Sequence, residues 1–183
     1  TIMTNKGKYY ESQFEEATIE LLREAHWQYA FGDDIHRKYT DPLIEEDLRN
    51  FLAVQYKDKN LTTSEMDSII ANLRNTGGQN DYYALRNAFL LYRDGYDFAY
   101  SDGRDNPFRL EYIDFGHPDH NIFRCVNQFV MEQGRENRRP DILLFINGIP
   151  VCIIELKNPT KQNATIRDAH TQICTRYMRD ISA

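Results

Sequence analysis

The stretch from Asp141 to Lys157 places the tightest constraint on the fold. It reads Asp-Ile-Leu-Leu-Phe-Ile, Asn-Gly, Ile-Pro-Val-Cys-Ile-Ile and then Glu-Leu-Lys. Two strand-length apolar segments, Asp141 to Ile146 and Val151 to Lys157, flank Asn147-Gly148, so a β-hairpin is expected. Glu155 and Lys157 stand in otherwise apolar sequence, where a charge needs a partner, a metal ion or water. Being two residues apart, they share one face of a strand.

Register adds a condition. A two-residue loop at Asn147-Gly148 pairs Ile146 with Ile149 and sets Asp141 opposite Ile154, on the wrong face from Glu155. A three-residue loop, Asn147 to Ile149, pairs Asp141 with Glu155. Such loops commonly carry a left-handed glycine, and Gly148 is available. The sequence therefore predicts an odd-length loop or a bulge, and a tight two-residue hairpin with an unbroken ladder would count against the metal site.

An acid, a strand-length gap and Glu-x-Lys form the skeleton of a metal-dependent nuclease site. Hydrolysing a phosphodiester needs a positioned metal, an activated water and stabilisation of extra negative charge. Asp141 and Glu155 are hard oxygen ligands suited to Mg²⁺. The carbonyl of Leu156 is a further candidate ligand. The ammonium of Lys157 is suited to orienting the water or stabilising developing charge. The plainer reading is a half-buried hairpin whose charges reach solvent. Pro140 before the aspartate, the apolar strand, and the abrupt stop at Lys157-Asn158-Pro159 favour the site.

The remainder of the first half reads as helices. From about Tyr9 to Trp27, Phe14, Ala17, Leu21 and Ala25 recur at helical spacing. On a helical wheel Glu11 and Glu15 fall beside the stripe of Phe14, Thr18, Leu21 and Leu22, and Glu16, Glu20 and Glu24 fall on the far side. Asp41-Pro42 has the order of an N-cap and a first helical proline, ahead of Leu43, Ile44, Leu48, Phe51 and Leu52. Thr62 to Glu65 fits a capping box before Met66, Ile69, Ile70 and Leu73, and Gly77-Gly78 is read as the stop. A further helix is expected from Asp81 to Arg93, closed by Gly95. In the second half, Leu110 to Phe115 and Ile122 to Met131 look strand-like. A last helix is expected from near Thr165 to the end.

Length suggests one domain, with a helical part over about 1–96 and a sheet core with the hairpin over about 97–183. No apolar run reaches membrane-spanning length, and Thr1 to Lys6 lack the apolar core of a signal peptide. Cys125, Cys152 and Cys174 are read as reduced packing residues of a cytoplasmic protein. The net charge of −6 argues against a nucleic-acid partner, but its distribution does not. Residues 131–183 carry 8 basic and 6 acidic side chains, and two of those acids are Asp141 and Glu155. The basic side chains, Arg135, Arg138, Arg139, Lys157, Lys161, Arg167, Arg176 and Arg179, are suited to holding a phosphate backbone with modest affinity.

Arg138-Arg139-Pro140-Asp141-Ile142, Asn147-Gly148-Ile149-Pro150 and Ile154-Glu155-Leu156-Lys157-Asn158-Pro159 together resemble the amino-terminal domain of the restriction (HsdR) subunit of type I restriction–modification enzymes. The resemblance extends to Glu11–Glu16, Asn121-Ile122-Phe123 and Val126–Phe129. It implies an α/β protein with a PD-(D/E)xK nuclease core of restriction-endonuclease-like fold, a mixed β-sheet flanked by helices, with the helical N-terminal half. It further implies Mg²⁺-dependent cleavage of double-stranded DNA, and methyltransferase and specificity subunits as partners in a bacterial or archaeal cytoplasm. ATP would be used only by a translocase motor, for which these residues hold no motif, so the chain is expected to be a fragment of a longer subunit. The family pattern also places a Gln and a Tyr four apart in the helix after the lysine. Gln172 matches, but the nearest tyrosine is Tyr177, five on, and Arg176 takes the expected α-helical face, so Tyr177 carries over only where the helix has a π-bulge. Related nucleases use an acid of the first helix as an extra metal ligand, and Glu15 is the candidate; a rim salt bridge is its plainer reading.

Other features read more simply. His117-Pro118-Asp119-His120 is a turn rather than a zinc site, lacking companion cysteines. Gly77-Gly78 lacks the lysine of a phosphate loop. Tyr82, Tyr83, Tyr92, Tyr96 and Tyr100 are read as interhelical packing rather than base-stacking platforms. His170 lies near Gln172 with no assigned role. The expectation is thus a Mg²⁺-dependent DNA endonuclease domain. Asp141, Glu155 and Leu156 hold metal with Glu15 as accessory, Lys157 assists the water, and Gln172 positions substrate or the metal shell. A catalytically degenerate docking or DNA-binding module and a standalone repair nuclease are the alternatives.

Overall fold

The hairpin forms, with β7 over Ile142–Ile146 and β8 over Ile149–Ile154. This computed structural model describes residues 6–76, 81–157 and 166–177. β7 and β8 are joined by two residues, not three, which corrects the expected loop and removes the register argument for pairing Asp141 with Glu155 across the ladder. Asn147 and Gly148 both take positive φ, 52° and 76°, the turn whose twist matches that of the flanking strands. The six residues of β8 outnumber the five of β7.

Residue contacts divide the chain into two compact units. The first comprises Thr1–Pro42, Phe123–Phe145 and Pro150–Ser182. It holds α1 (Lys6–Glu24) and a four-stranded sheet in the order β1-β4-β7-β8, with β1 at Gln28–Phe31 and β4 at Phe123–Asn127. β1 and β4 run parallel, Gln28 pairing with Arg124 and Phe31 with Asn127. The sequence reading missed β1. Four residues of mixed exposure, Gln-Tyr-Ala-Phe, carry almost no periodicity. A short hairpin, β5 (Met131–Gln133) and β6 (Glu136–Arg138), completes this unit's strands.

Of the stripe predicted beside Glu15, Thr18 and Leu22 lie inward and Phe14 and Leu21 do not. Glu15, Thr18, Ile19 and Leu22 are half-buried at helical spacing, whereas Phe14 and Leu21 are 47% and 65% exposed. Glu16, Glu20 and Glu24 face solvent, as expected. Trp27 follows the helix and packs edge-on against Phe123 at 5.1 Å.

The second unit comprises Leu43–Ile122, Ile146–Ile149 and Ala183. Its core joins Leu48, Phe51 and Leu52 of α2 (Glu45–Gln55) to Ile69, Ile70 and Leu73 of α3 (Thr63–Arg74), with Leu110, Tyr112 and Ile149. α3 starts at the predicted capping box: Thr62 Oγ1 accepts from Glu65 N–H, and the Glu65 carboxylate accepts from Thr62 N–H. Gly77-Gly78 lies outside the described residues. α2 does not start at Asp41-Pro42. Its N-cap is Ile44, whose N–H donates to Gly148 O at 2.9 Å. Ile44 itself has non-helical backbone angles, φ −93° and ψ 84°, so helical geometry begins after it.

α4 spans Asp81–Asp94, close to the predicted limits, and Gly95 follows. Tyr100 is buried, but Tyr82 and Tyr83 are exposed, so the packing role holds for only part of the tyrosine group. β2 (Tyr96–Phe98) pairs with β3 (Phe108–Leu110) antiparallel. The predicted strand over Leu110 to Phe115 stops at Leu110. Beyond it the chain turns through a loop in which Asn121 bonds both the N–H and the carbonyl of Asp114. Of the cysteines, Cys125 is buried but Cys152 and Cys174 are exposed. β8 is an edge strand among those described, which leaves Cys152 uncovered.

Candidate active site

In the first unit the end of β8 and the start of β7 meet through one hydrogen bond. Leu156 N–H donates to Asp141 Oδ2 at 2.7 Å. The residue between Glu155 and Lys157 is thereby held against the aspartate, although regular strand pairing has already ended at Ile154. The sequence expected Glu155 and Lys157 to share a face inside the strand. They instead lie just past it, outside regular strand, and still meet: Lys157 Nζ is 3.4 Å from Glu155 Oε2.

The Glu155 side chain is only 1% exposed. A carboxylate so buried is costly unless its oxygens find charge or donors. Gln172 Nε2 donates to the same Oε2 at 2.9 Å, so lysine and amide converge on one atom. Gln172 opens a π-helical turn, Gln172–Tyr177, that continues α5 (Ile166–Thr171). A π turn closes its bonds over five residues rather than four, so backbone position 177 comes round over position 172. The five-residue spacing that fits an α-helix poorly thus fits this one.

Glu15 sits on the inward stripe of α1, and its carboxylate is engaged. Asn127 Nδ2 donates to Oε1 at 2.8 Å and Gln128 Nε2 at 3.4 Å. Tyr29 OH donates to Asn127 Oδ1 at 3.0 Å. Burial first, then the Glu15 charge, pushes the Tyr29 hydroxyl above its ordinary range, which keeps it a donor. Gln128 has φ 56°, a left-handed backbone that costs a side-chain-bearing residue about 1–2 kcal/mol. Its N–H donates to the Asp141 carbonyl at 3.3 Å, so one strained residue contacts both acids' neighbourhoods. Gly32 permits this: a Cβ there would lie 2.5 Å from the Gln128 carbonyl oxygen.

Asn127 and Gln128 were not assigned roles from sequence. Their signal was two adjacent amides at the end of an apolar strand, easily passed over. Among the described residues, Glu15, Asp141 and Glu155 do not form a trio with ligand atoms all within 4.8 Å. Like charges without a cation between them repel. The donor types themselves, carboxylate oxygens at Glu15, Asp141 and Glu155, suit a hard divalent cation. His170 is exposed and its Nε2 lies 3.5 Å from Cys174 Sγ, giving no link to the acids. Arg135, Arg139 and Arg167 are exposed, and Arg138 pairs with Glu136 at 2.9 Å. Lys161 and Arg179 lie outside the described residues, as do the side chains of Arg176 and Tyr177.

The family model "Type I restriction enzyme R protein N terminus" matches residues 8–183. The chain belongs to this family. It is 27% identical, over 90% of its length, to the type I restriction enzyme HindI endonuclease subunit of Haemophilus influenzae. It is 30% identical, over 91% of its length, to a Methanocaldococcus jannaschii protein bearing the name of the MjaIXP endonuclease subunit of a type I restriction enzyme. The chain spans 16% and 17% of the length of these relatives. The mixed sheet, the helical N-terminal part and the family match agree with the restriction-endonuclease-like α/β fold expected from sequence. No described helix is long and apolar enough to cross a membrane.

Proposed function

We propose that this domain is the metal-dependent DNA endonuclease of a type I restriction enzyme. The observation that carries the reading is the buried Glu155 carboxylate, contacted at one oxygen by both Lys157 and Gln172 beside an Asp141 bonded to Leu156. An acid, an amide and a lysine gathered at a strand end serve hydrolysis better than stability. A buried ion pair is weak evidence of stabilisation.

In this reading Asp141, Glu155 and the Leu156 carbonyl hold Mg²⁺, with Glu15 as accessory donor. The cation, when bound, polarises the phosphate and lowers the pKa of a bound water. Lys157 orients the attacking water and balances negative charge developing on the phosphate. Gln172 fixes the rotamer of Glu155. Asn127 and Gln128 hold Glu15 in place. The exposed Arg135, Arg139 and Arg167 supply sequence-independent phosphate contacts. Double-stranded DNA is the substrate, and site recognition falls to a specificity subunit assembled with a methyltransferase. ATP serves a motor elsewhere in the full-length subunit.

The test is cleavage of a plasmid bearing a recognition site by the assembled enzyme with Mg²⁺ and ATP. Asp141→Ala and Glu155→Gln should each abolish cutting while leaving assembly and ATP hydrolysis intact. Full cleavage by either variant would overturn the assignment and favour the docking-module reading.

A further inference from the structure

Away from these residues, the loop after β3 in the second unit gathers three metal-ligand atoms. Asp114 Oδ2 lies 3.0 Å from His120 Nδ1 and 3.6 Å from His117 Nδ1. All three atoms lie within 4.8 Å of one another, a convergence unique among the described residues. A tetrahedral ion with bonds of about 2.0–2.2 Å to nitrogen and oxygen has ligand–ligand edges of about 3.3 Å. The two separations straddle that edge.

The arrangement is built before any ion arrives. The Asp114 side chain is buried while both imidazoles are largely exposed. Its Oδ1 accepts His117 N–H at 2.8 Å and its Oδ2 accepts Gln55 Nε2 at 3.0 Å. These are the outer hydrogen bonds that orient a ligating carboxylate. Asn121 clamps the Asp114 backbone from both sides. The 3₁₀ turn Pro118–His120 eclipses positions three apart. His117 and His120 therefore stack, with ring centroids 4.9 Å apart and planes at 17°.

We propose that Asp114, His117 and His120 form a second metal site, of the pattern Asp-x-x-His-x-x-His, that takes a zinc-class divalent ion. Nitrogen donors select such an ion over Mg²⁺, which separates this site chemically from the all-oxygen set at Asp141 and Glu155. The exposed rings leave its remaining positions to water. Binding requires both Nδ1 atoms free of hydrogen, which each neutral ring supplies as its Nε2–H tautomer.

The experiment is titration of the intact chain with Zn²⁺ by calorimetry and with Co²⁺ by visible absorption. One equivalent should bind, and the Co²⁺ adduct should show the strong absorption of low coordination. His117→Ala and His120→Gln should each weaken binding about tenfold or more. Glutamine can keep a hydrogen bond to Asp114, so its thermal unfolding should match the parent. Asp141→Ala should bind the same equivalent, which keeps this outcome independent of the nuclease assignment. An absence of binding, or binding unchanged in the double histidine variant, would show Asp114 to be a loop staple only and overturn the proposal.

Discussion

Gln172 and Glu155 meet side chain to side chain, Nε2 to Oε2 at 2.9 Å, across 17 residues of chain. The amide and the Lys157 ammonium thus share one buried oxygen. Replacing the amide with a carboxylate, Gln172→Glu, would set a like charge against Glu155 and raise the pKa of the pair. Because cleavage needs the ionised acids, the acid limb of the pH–rate profile should move to higher pH. Gln172→Ala should slow cleavage without that displacement. A profile identical in both variants would separate Gln172 from the chemistry.

Lys157→Ala should reduce the cleavage rate about 10²–10³-fold, the usual cost of one charge-stabilising donor. It also takes a cation from the buried Glu155 carboxylate, which Gln172 still contacts, so some stability is lost with it. Lys157→Arg keeps the charge but changes its shape, and should restore stability more fully than activity. Unfolding and cleavage measured on the same preparations separate the two effects.

The π-helical turn at Gln172–Tyr177 meets the condition under which a tyrosine five residues on fits the family spacing. Position 177, rather than 176, comes round over Gln172. Tyr177→Ala should therefore impair plasmid cleavage more than Arg176→Ala does. The opposite order would mean that the turn has no part in the site.

Asn147 and Gly148 form the turn on which the hairpin depends. Asn147 is fully buried and bonds Ile122 N–H, the Tyr112 carbonyl and Asn121. Asn147→Ala strands these groups and should cost about 2–3 kcal/mol. At Gly148, with φ +76°, an added Cβ would lie 2.1 Å from the Ile44 carbonyl oxygen, so Gly148→Ala should cost at least about 1–3 kcal/mol. Equilibrium urea denaturation would measure both.

Arg104, and after it the Thr62 N–H, hold the Glu65 carboxyl down from 4.5 to about 2. Its folded pKa lies below its unfolded value, so its stabilising contribution is complete above about pH 4.5. That contribution fades as pH falls toward 2. Acid unfolding followed by circular dichroism should show this limb, and Glu65→Gln should flatten it.

Features decided within a few residues were legible in the sequence. The capping box at Thr62 and Glu65 depends on two side chains and their own backbone. The hairpin depends on Asn147-Gly148 between apolar runs. The chemical types at Asp141, Glu155 and Lys157 can be named without coordinates, and so can the inward lean of Glu15. The loop length could not, because the three-residue loop was inferred from an unbroken ladder. In the structure the ladder stops at Ile154, and Leu156 reaches Asp141 from irregular chain. Tertiary structure alone placed β1 beside β4, moved the start of α2 past Ile44 and gave Glu15 its amide partners. It also brought Asp114 to the two histidines that the sequence read as a mere turn. Each of these depends on partners distant in sequence or on the path of a loop, and periodicity over a short window carries no information about which distant group will arrive.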